Sequence, residues 1–122
     1  MIARDLPEGV ALLLRRAERR QGALEARGRD LRARAERAAV NLVERFGVGR
    51  VVLFGSLGRG ATHERSDVDL AVWGLAAELE TAAIDAIARD LDAPFDLVRM
   101  ETASPSLAHR IAMDGTDLVA LR

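Results

Sequence analysis

The chain has 122 residues, 49% of them hydrophobic and 30% charged, enough for one domain with an ordinary core and too apolar for a disordered chain. It has no cysteine, which excludes disulfides and thiolate metal sites, and its apolar runs fall far short of the roughly 20 residues a membrane helix needs. The net charge of −1 is unevenly placed: eleven Arg against seven acids give +4 over residues 1–46, and seven Arg against twelve acids give −5 over residues 47–122. No charged-then-apolar leader opens the sequence, and a cytoplasmic location is expected.

Residues 8–46 read as helix. Val10, Leu13, Leu14, Ala17, Leu24, Leu31, Ala35, Ala38, Leu42 and Phe46 recur at three- and four-residue steps. Gly22 and Gly28 are weak points, so the segment is either one long helix or a helical hairpin that turns near Gly28. Pro7 suits the first turn and Gly47 the stop. Val10, Ala17, Leu24, Leu31 and Ala38 also lie seven apart. That spacing fits a seam between chains, in a homo-oligomer or with a partner, and equally fits packing on the chain's own sheet.

Arg50 to Phe54 is a short β-branched run, hence a buried strand. Gly55 and Ser56 follow, and residues 56–60 read as a tight turn with about one turn of helix. Residues 61–66 form a polar loop. A second strand runs from Val68 to Trp73 and stops at Gly74. Residues 75–91 are an Ala-rich helix with Leu79, Ile84, Ile87 and Leu91 turned inward, ended by Ala93-Pro94. A third strand covers Phe95 to Met100. Ser104-Pro105 cap a helix that carries Leu107 and Ile111 on one face and ends at Gly115. Asp117 to Leu121 is a last, edge strand. This order predicts an α/β fold: a small mixed sheet of about four strands flanked by helices, with an added long N-terminal helix or hairpin.

Chemistry concentrates at Gly55-Ser56 and, ten residues on, Asp67-Val68-Asp69. Alternation along a strand puts Asp67 and Asp69 on one face, with Val68 and Leu70 on the other. Two carboxylates so close repel, and a divalent cation removes that penalty; oxygen ligands of this kind suit Mg²⁺. Asp96 lies in the otherwise apolar run Phe95-Asp96-Leu97-Val98, where a lone acid is costly without a partner. If the third strand lies beside the second, Asp96 completes a three-carboxylate set able to hold two metals about 4 Å apart. Gly55 allows close backbone approach, Ser56 supplies a hydroxyl, and N–H groups at a turn entering a helix attract phosphate. Ser66 is placed with them as a nucleotide-binding residue. Arg59 is close enough to offer a phosphate fork, and equally to be a surface charge or an ion-pair partner of Asp67. The implied reaction is nucleotidyl transfer, with Asp67, Asp69 and Asp96 as catalytic and metal-binding residues and Asp96 as the acceptor's base.

These residues resemble the minimal nucleotidyltransferases (MNT) of the polymerase-beta-like superfamily. That family carries Gly-Ser, a ten-residue gap, Asp-x-Asp and a third Asp in a later apolar strand. Residues 30–122 fit the pattern and residues 1–29 form an N-terminal helical extension outside it. Gly58 stands where many relatives have Ala or another small residue, an exchange read as harmless. The resemblance implies that Gly55 and Ser56 bind the triphosphate, that Asp67 and Asp69 hold metal and that Asp96 is the third acid; ATP is the expected nucleotide and Mg²⁺ the expected metal. It further implies a separate HEPN-type toxin as partner, with this chain as antitoxin. Some family members transfer AMP to a tyrosine of the toxin. This chain has no Tyr, so such an acceptor lies on another molecule. The alternatives are a non-catalytic antitoxin acting by occlusion, and a transferase for a small molecule such as an aminoglycoside. Nucleic-acid binding is not expected, because acids intersperse the Arg-rich helix and no aromatics do.

Overall fold

In the computed structural model, which describes residues 6–60 and 67–120, the first helix is a single rod. α1 runs from Glu8 to Phe46 without a break at Gly22 or Gly28. At 1.5 Å per residue its 39 residues span about 58 Å. It stops at Gly47, whose N–H closes on the carbonyls of Leu42 and Val43. Of the two options left open by the sequence, one helix and not a hairpin is found.

The strands are β1 (Arg50–Phe54), β2 (Val68–Trp73), β3 (Phe95–Arg99) and β4 (Thr116–Ala120). They form one mixed sheet in the order β3-β2-β1-β4. β1 pairs antiparallel with β2 and with β4, and β2 pairs parallel with β3. The parallel pair requires a crossover, which α3 (Glu80–Leu91) supplies after one short 3₁₀ turn. A single helical turn, α2 (Gly55–Gly58), follows β1, and α4 (Pro105–Asp114) links β3 to β4. Ser104 caps α4 by accepting from the Leu107 N–H, as its sequence predicts.

Alternation in the two central strands builds two cores. Val51, Leu53, Val68, Leu70 and Val72 pack with Leu31, Ala35, Ala39 and Leu42 of α1 and with Ala83, Ile87 and Leu91 of α3. On the opposite face Val52, Phe54 and Ala71 pack with Ile111 of α4, joined by Trp73, Val98 and Leu107. Trp73 sits at the edge of this second core, with the Arg50 guanidinium 4.5 Å above its ring. It is a packing residue, as the sequence favours.

The phase of α3 departs from expectation. Ile87 and Leu91 are buried, but Leu79 and Ile84 are each 38% exposed, and Ala83 and Ala86 take the inward positions. Ala83 of α3 shares the first core with Ala35 and Ala39 of α1, where the two helices pack together. Asn41 Nδ2 donates to Asp90 Oδ2 at 3.1 Å, and Arg34 Nη1 donates at 2.8 Å to the Leu91 carbonyl at the end of α3.

The buried residues of α1 begin at Gly28. Toward its N-terminus Val10, Leu12, Leu13 and Leu14 are exposed, Leu13 by 63%. The seven-residue spacing therefore serves two ends differently: Leu31 and Ala38 pack on the sheet, while Val10 has no such cover. No helix among the described residues is long and apolar enough to cross a membrane.

Candidate functional site

The site grows from the register of the two strands that carry its acids. Asp69 is paired with Phe54 across β1 and β2, and with Asp96 across β2 and β3. Paired residues on neighbouring strands point to the same side of the sheet. Asp69 and Asp96 therefore stand beside each other on the face of Phe54, Ala71 and Val98, as expected if the third strand lay beside the second. Asp67 immediately precedes β2 and is exposed. Ser66, predicted to bind nucleotide, lies outside the described residues.

Asp69 is half-buried, and burial first, then the negative charges of Asp96 and Asp67, push its carboxyl above the usual carboxylate range. The positive charge of Arg110 opposes that push. The negative charges of Asp96 and Asp67 thus act on Asp69, and the fold keeps Asp69 where ionisation is disfavoured. Such a place favours a cation. The donor set fits Mg²⁺ through Asp67, Asp69 and Asp96, all of them hard oxygen donors. Among the described residues no three His, Cys, Asp or Glu close into a metal cage. Mg²⁺ is usually held by one or two carboxylates, with waters and substrate phosphates filling its shell, so an open set suits it.

The turn beside these acids is built with no spare volume. Gly55 has φ +71°, and a Cβ there would collide with Asp69 Oδ2. Any other residue would meet both the left-handed penalty and the carboxylate. Ser56 follows inside α2, whose first residue, Gly55, abuts Asp69. Gly58 fits a closed place in the same turn. A Cβ there would lie 2.5 Å from the Leu53 carbonyl oxygen and 2.9 Å from that of Asp114. Backbone on both sides leaves no room for Ala. Thr116 Oγ1 donates to the Gly58 carbonyl at 2.8 Å and fastens β4 to the same turn.

Arg59 does not pair with Asp67. Its Nη1 lies 3.1 Å from Asp114 Oδ2, at the end of α4. The pair is exposed, which makes it worth less than about 1 kcal/mol and open to exchange. A cleft of about 320 Å³ lies beside the turn, lined by Arg32, Glu36, Leu57, Arg59 and Thr116 among others. It opens on the α1 side of the sheet, where Leu57 joins the first core, and not on the carboxylate face.

One charged residue beside the acids was not singled out in the sequence. Arg110, on α4, is close enough for its charge to act on Asp69. Its spacing from the acids along the chain carries no signal, because only the packing of α4 over the sheet brings it there.

A Gly-Ser turn between β1 and a helical turn, with acids on the next two strands of a mixed sheet, defines a nucleotidyltransferase-type domain. The profile of the family described as "Polymerase beta, Nucleotidyltransferase" matches residues 39–120, and the chain belongs to that family. Among solved structures, a protein described as a candidate minimal nucleotidyltransferase is 30% identical with a TM-score of 0.61, over 73% of this chain and 93% of that one. A toxin–antitoxin crystal structure with AMP-PNP is 27% identical with a TM-score of 0.61, over 71% of this chain and 74% of that one. A mutant MntA–HpeT toxin–antitoxin is 25% identical with a TM-score of 0.61 over the same shares. The fold is that of minimal nucleotidyltransferases. No curated protein matches the sequence.

Proposed function

We propose that the chain is a metal-dependent nucleotidyltransferase that moves AMP from ATP onto a hydroxyl of a separate HEPN-type toxin, and so acts as its antitoxin. The observation that carries the reading is the pairing of Asp69 with Asp96 in adjacent strands, with Asp67 two residues before Asp69. Three acids beside a Gly-Ser turn match the needs of phosphoryl chemistry better than those of a stable sheet, since like charges at one place cost stability. The similarity to toxin–antitoxin structures, one of them with the ATP analogue AMP-PNP, supports both the nucleotide and the partner.

In this reading Gly55 and Ser56 hold the triphosphate at the start of α2, where N–H groups favour anions. Arg59 leaves Asp114 to add a fork. Mg²⁺ bound by Asp67, Asp69 and Asp96 supplies charge neutralisation at the reacting phosphate. Asp96 accepts the proton of the acceptor hydroxyl, whose oxygen forms a bond to the α-phosphorus. The bond from that phosphorus to the bridging oxygen breaks, and pyrophosphate leaves with the electron pair. Residues 30–122 act as the transferase domain and residues 1–29 as an extension.

Incubating the chain with ATP labelled at the α-phosphate, Mg²⁺ and the protein encoded by the neighbouring gene tests the reading. A labelled partner is expected. No labelled acceptor, or equal labelling by Asp67→Asn, overturns it.

The exposed start of α1 favours a second reading, in which the chain neutralises a toxin by covering it. Val10 to Leu14 are apolar around a full helical turn, a pattern usual for a covered helix. Toxin neutralisation by Asp69→Asn as complete as by the parent chain selects occlusion over catalysis.

A further inference from the structure

α4 lies over the face of the sheet that carries Asp69 and Asp96, and it brings one charge that the reaction above does not use. Ile111 is buried against Val52, Phe54 and Ala71, and Phe54 is the register partner of Asp69. Farther along α4, Asp114 reaches Arg59, and its carbonyl oxygen lies against Gly58. The helix therefore runs from above the second core toward the Gly55–Gly58 turn. Arg110 immediately precedes Ile111 and stands four residues before Asp114, so it lies on the side of α4 that Asp114 turns toward Arg59.

Arg110 is exposed and makes no ion pair among the described residues. Arg59, by contrast, is held by Asp114. Three carboxylates and a Gly-Ser turn must admit a substrate that is itself strongly anionic. An arginine with no ion pair among the described residues, carried by the helix that covers this face, is suited to that task by its rigid fork of donors. We infer that Arg110 is a substrate-binding residue that grips the phosphate chain of the nucleoside triphosphate at the Gly55-Ser56 turn. The inference rests on the nucleotidyltransferase reading and adds a residue from outside its motif.

The test measures binding of a fluorescent ATP analogue in the presence of Mg²⁺, with the KM for ATP where a labelled acceptor is in hand. Arg110→Ala weakens triphosphate binding about 10- to 100-fold, the usual worth of a charge-assisted hydrogen-bonded contact. Arg110→Lys restores part of the affinity, because the charge returns without the fork. Arg89→Ala, on the exposed side of α3, changes nothing. The KM for ATP rises in Arg110→Ala more than kcat falls, and the melting temperature stays at the parent value, which separates a substrate contact from a structural one. Parent-like affinity in Arg110→Ala overturns the inference while leaving the nucleotidyltransferase reading intact. Loss of affinity accompanied by an equal loss of melting temperature in both Arg110→Ala and Arg110→Lys also overturns it. Failure of the parent chain to bind the analogue overturns the nucleotidyltransferase reading, and this inference with it.

Discussion

Gly55 has no side chain because Asp69 occupies the space where one would be. The Cβ position of Gly55 coincides with the reach of Asp69 Oδ2, and the backbone there has φ +71°. One residue of the Gly-Ser turn and one acid of the next strand are thus fitted to each other. Gly55→Ala should lower stability by about 1–3 kcal/mol, from left-handed strain plus displacement of Asp69. Thermal unfolding reads the loss of stability. Nucleotide affinity should fall further than in Gly58→Ala, whose clash is with the Leu53 and Asp114 carbonyl oxygens and not with an acid. Equal affinity in Gly55→Ala and the parent would separate the turn from the site.

Asp69 should be more useful to catalysis than to folding. Its carboxyl is held above the usual range by burial and by Asp96 and Asp67. Below the unfolded carboxylate value both states are protonated and the fold carries no penalty. As pH rises through the raised folded value, the native state must hold a charge it disfavours, and stability is lost. Asp69→Asn should therefore melt higher than the parent at pH 7 in EDTA, with the difference shrinking toward pH 3. The same variant should transfer no nucleotide. A variant that melts lower at pH 7 would show that the carboxylate is well satisfied by the protein alone.

The same repulsion predicts stabilisation by cations. Mg²⁺ or Mn²⁺ at 100 times its dissociation constant should add about 2.7 kcal/mol to the parent. Asp67→Asn and Asp69→Asn should each lose most of that gain, read as the shift of melting temperature on adding the ion. An unchanged shift in both variants would place the cation elsewhere.

The strands were legible because each is a short β-branched or apolar run between turn residues, and the site because it is local in sequence on either side of one loop. Asp96 could be added because a lone acid in Phe95-Asp96-Leu97-Val98 demands an explanation, and the parallel pairing of β2 with β3 puts it beside Asp69. The phase of α3 was not legible because Leu79 and Ile84 dominate its apolar periodicity, whereas a helix packed against α1 turns the small Ala83 and Ala86 inward. Arg110 and the Asp114 partner of Arg59 were illegible because both depend on how α4 lies across the sheet. The two carbonyl oxygens that close over Gly58 leave no mark in a sequence either.

At the opposite end of the sheet, Arg50 and Asp117 should matter little. Arg50 Nε lies 2.7 Å from Asp117 Oδ1, and the hydrogen bond from Arg50 holds the Asp117 carboxyl below its usual value. The pair's contribution is present above the unfolded carboxylate value and is lost as pH falls through the lowered folded one. Both side chains are about half exposed, so solvent screens them. Asp117→Ala should cost less than about 1 kcal/mol at pH 7, and less still as pH falls through the lowered folded value, by denaturant unfolding.

The two halves of α1 should respond oppositely to the same kind of change. Leu31 is buried among Leu53, Leu57 and the α1 alanines, so Leu31→Ala should cost about 2–5 kcal/mol. Leu13 is 63% exposed, and Leu13→Ala should change stability by less than about 0.5 kcal/mol. An apolar turn that contributes nothing to its own fold is most simply kept for another surface. Leu13→Glu combined with Leu14→Glu should then leave the melting temperature and triphosphate binding untouched while weakening capture of the partner protein. The measurement is partner affinity by calorimetry on the full chain. If the doubly charged variant binds the proposed partner as the parent does, the free half of α1 is not the docking surface.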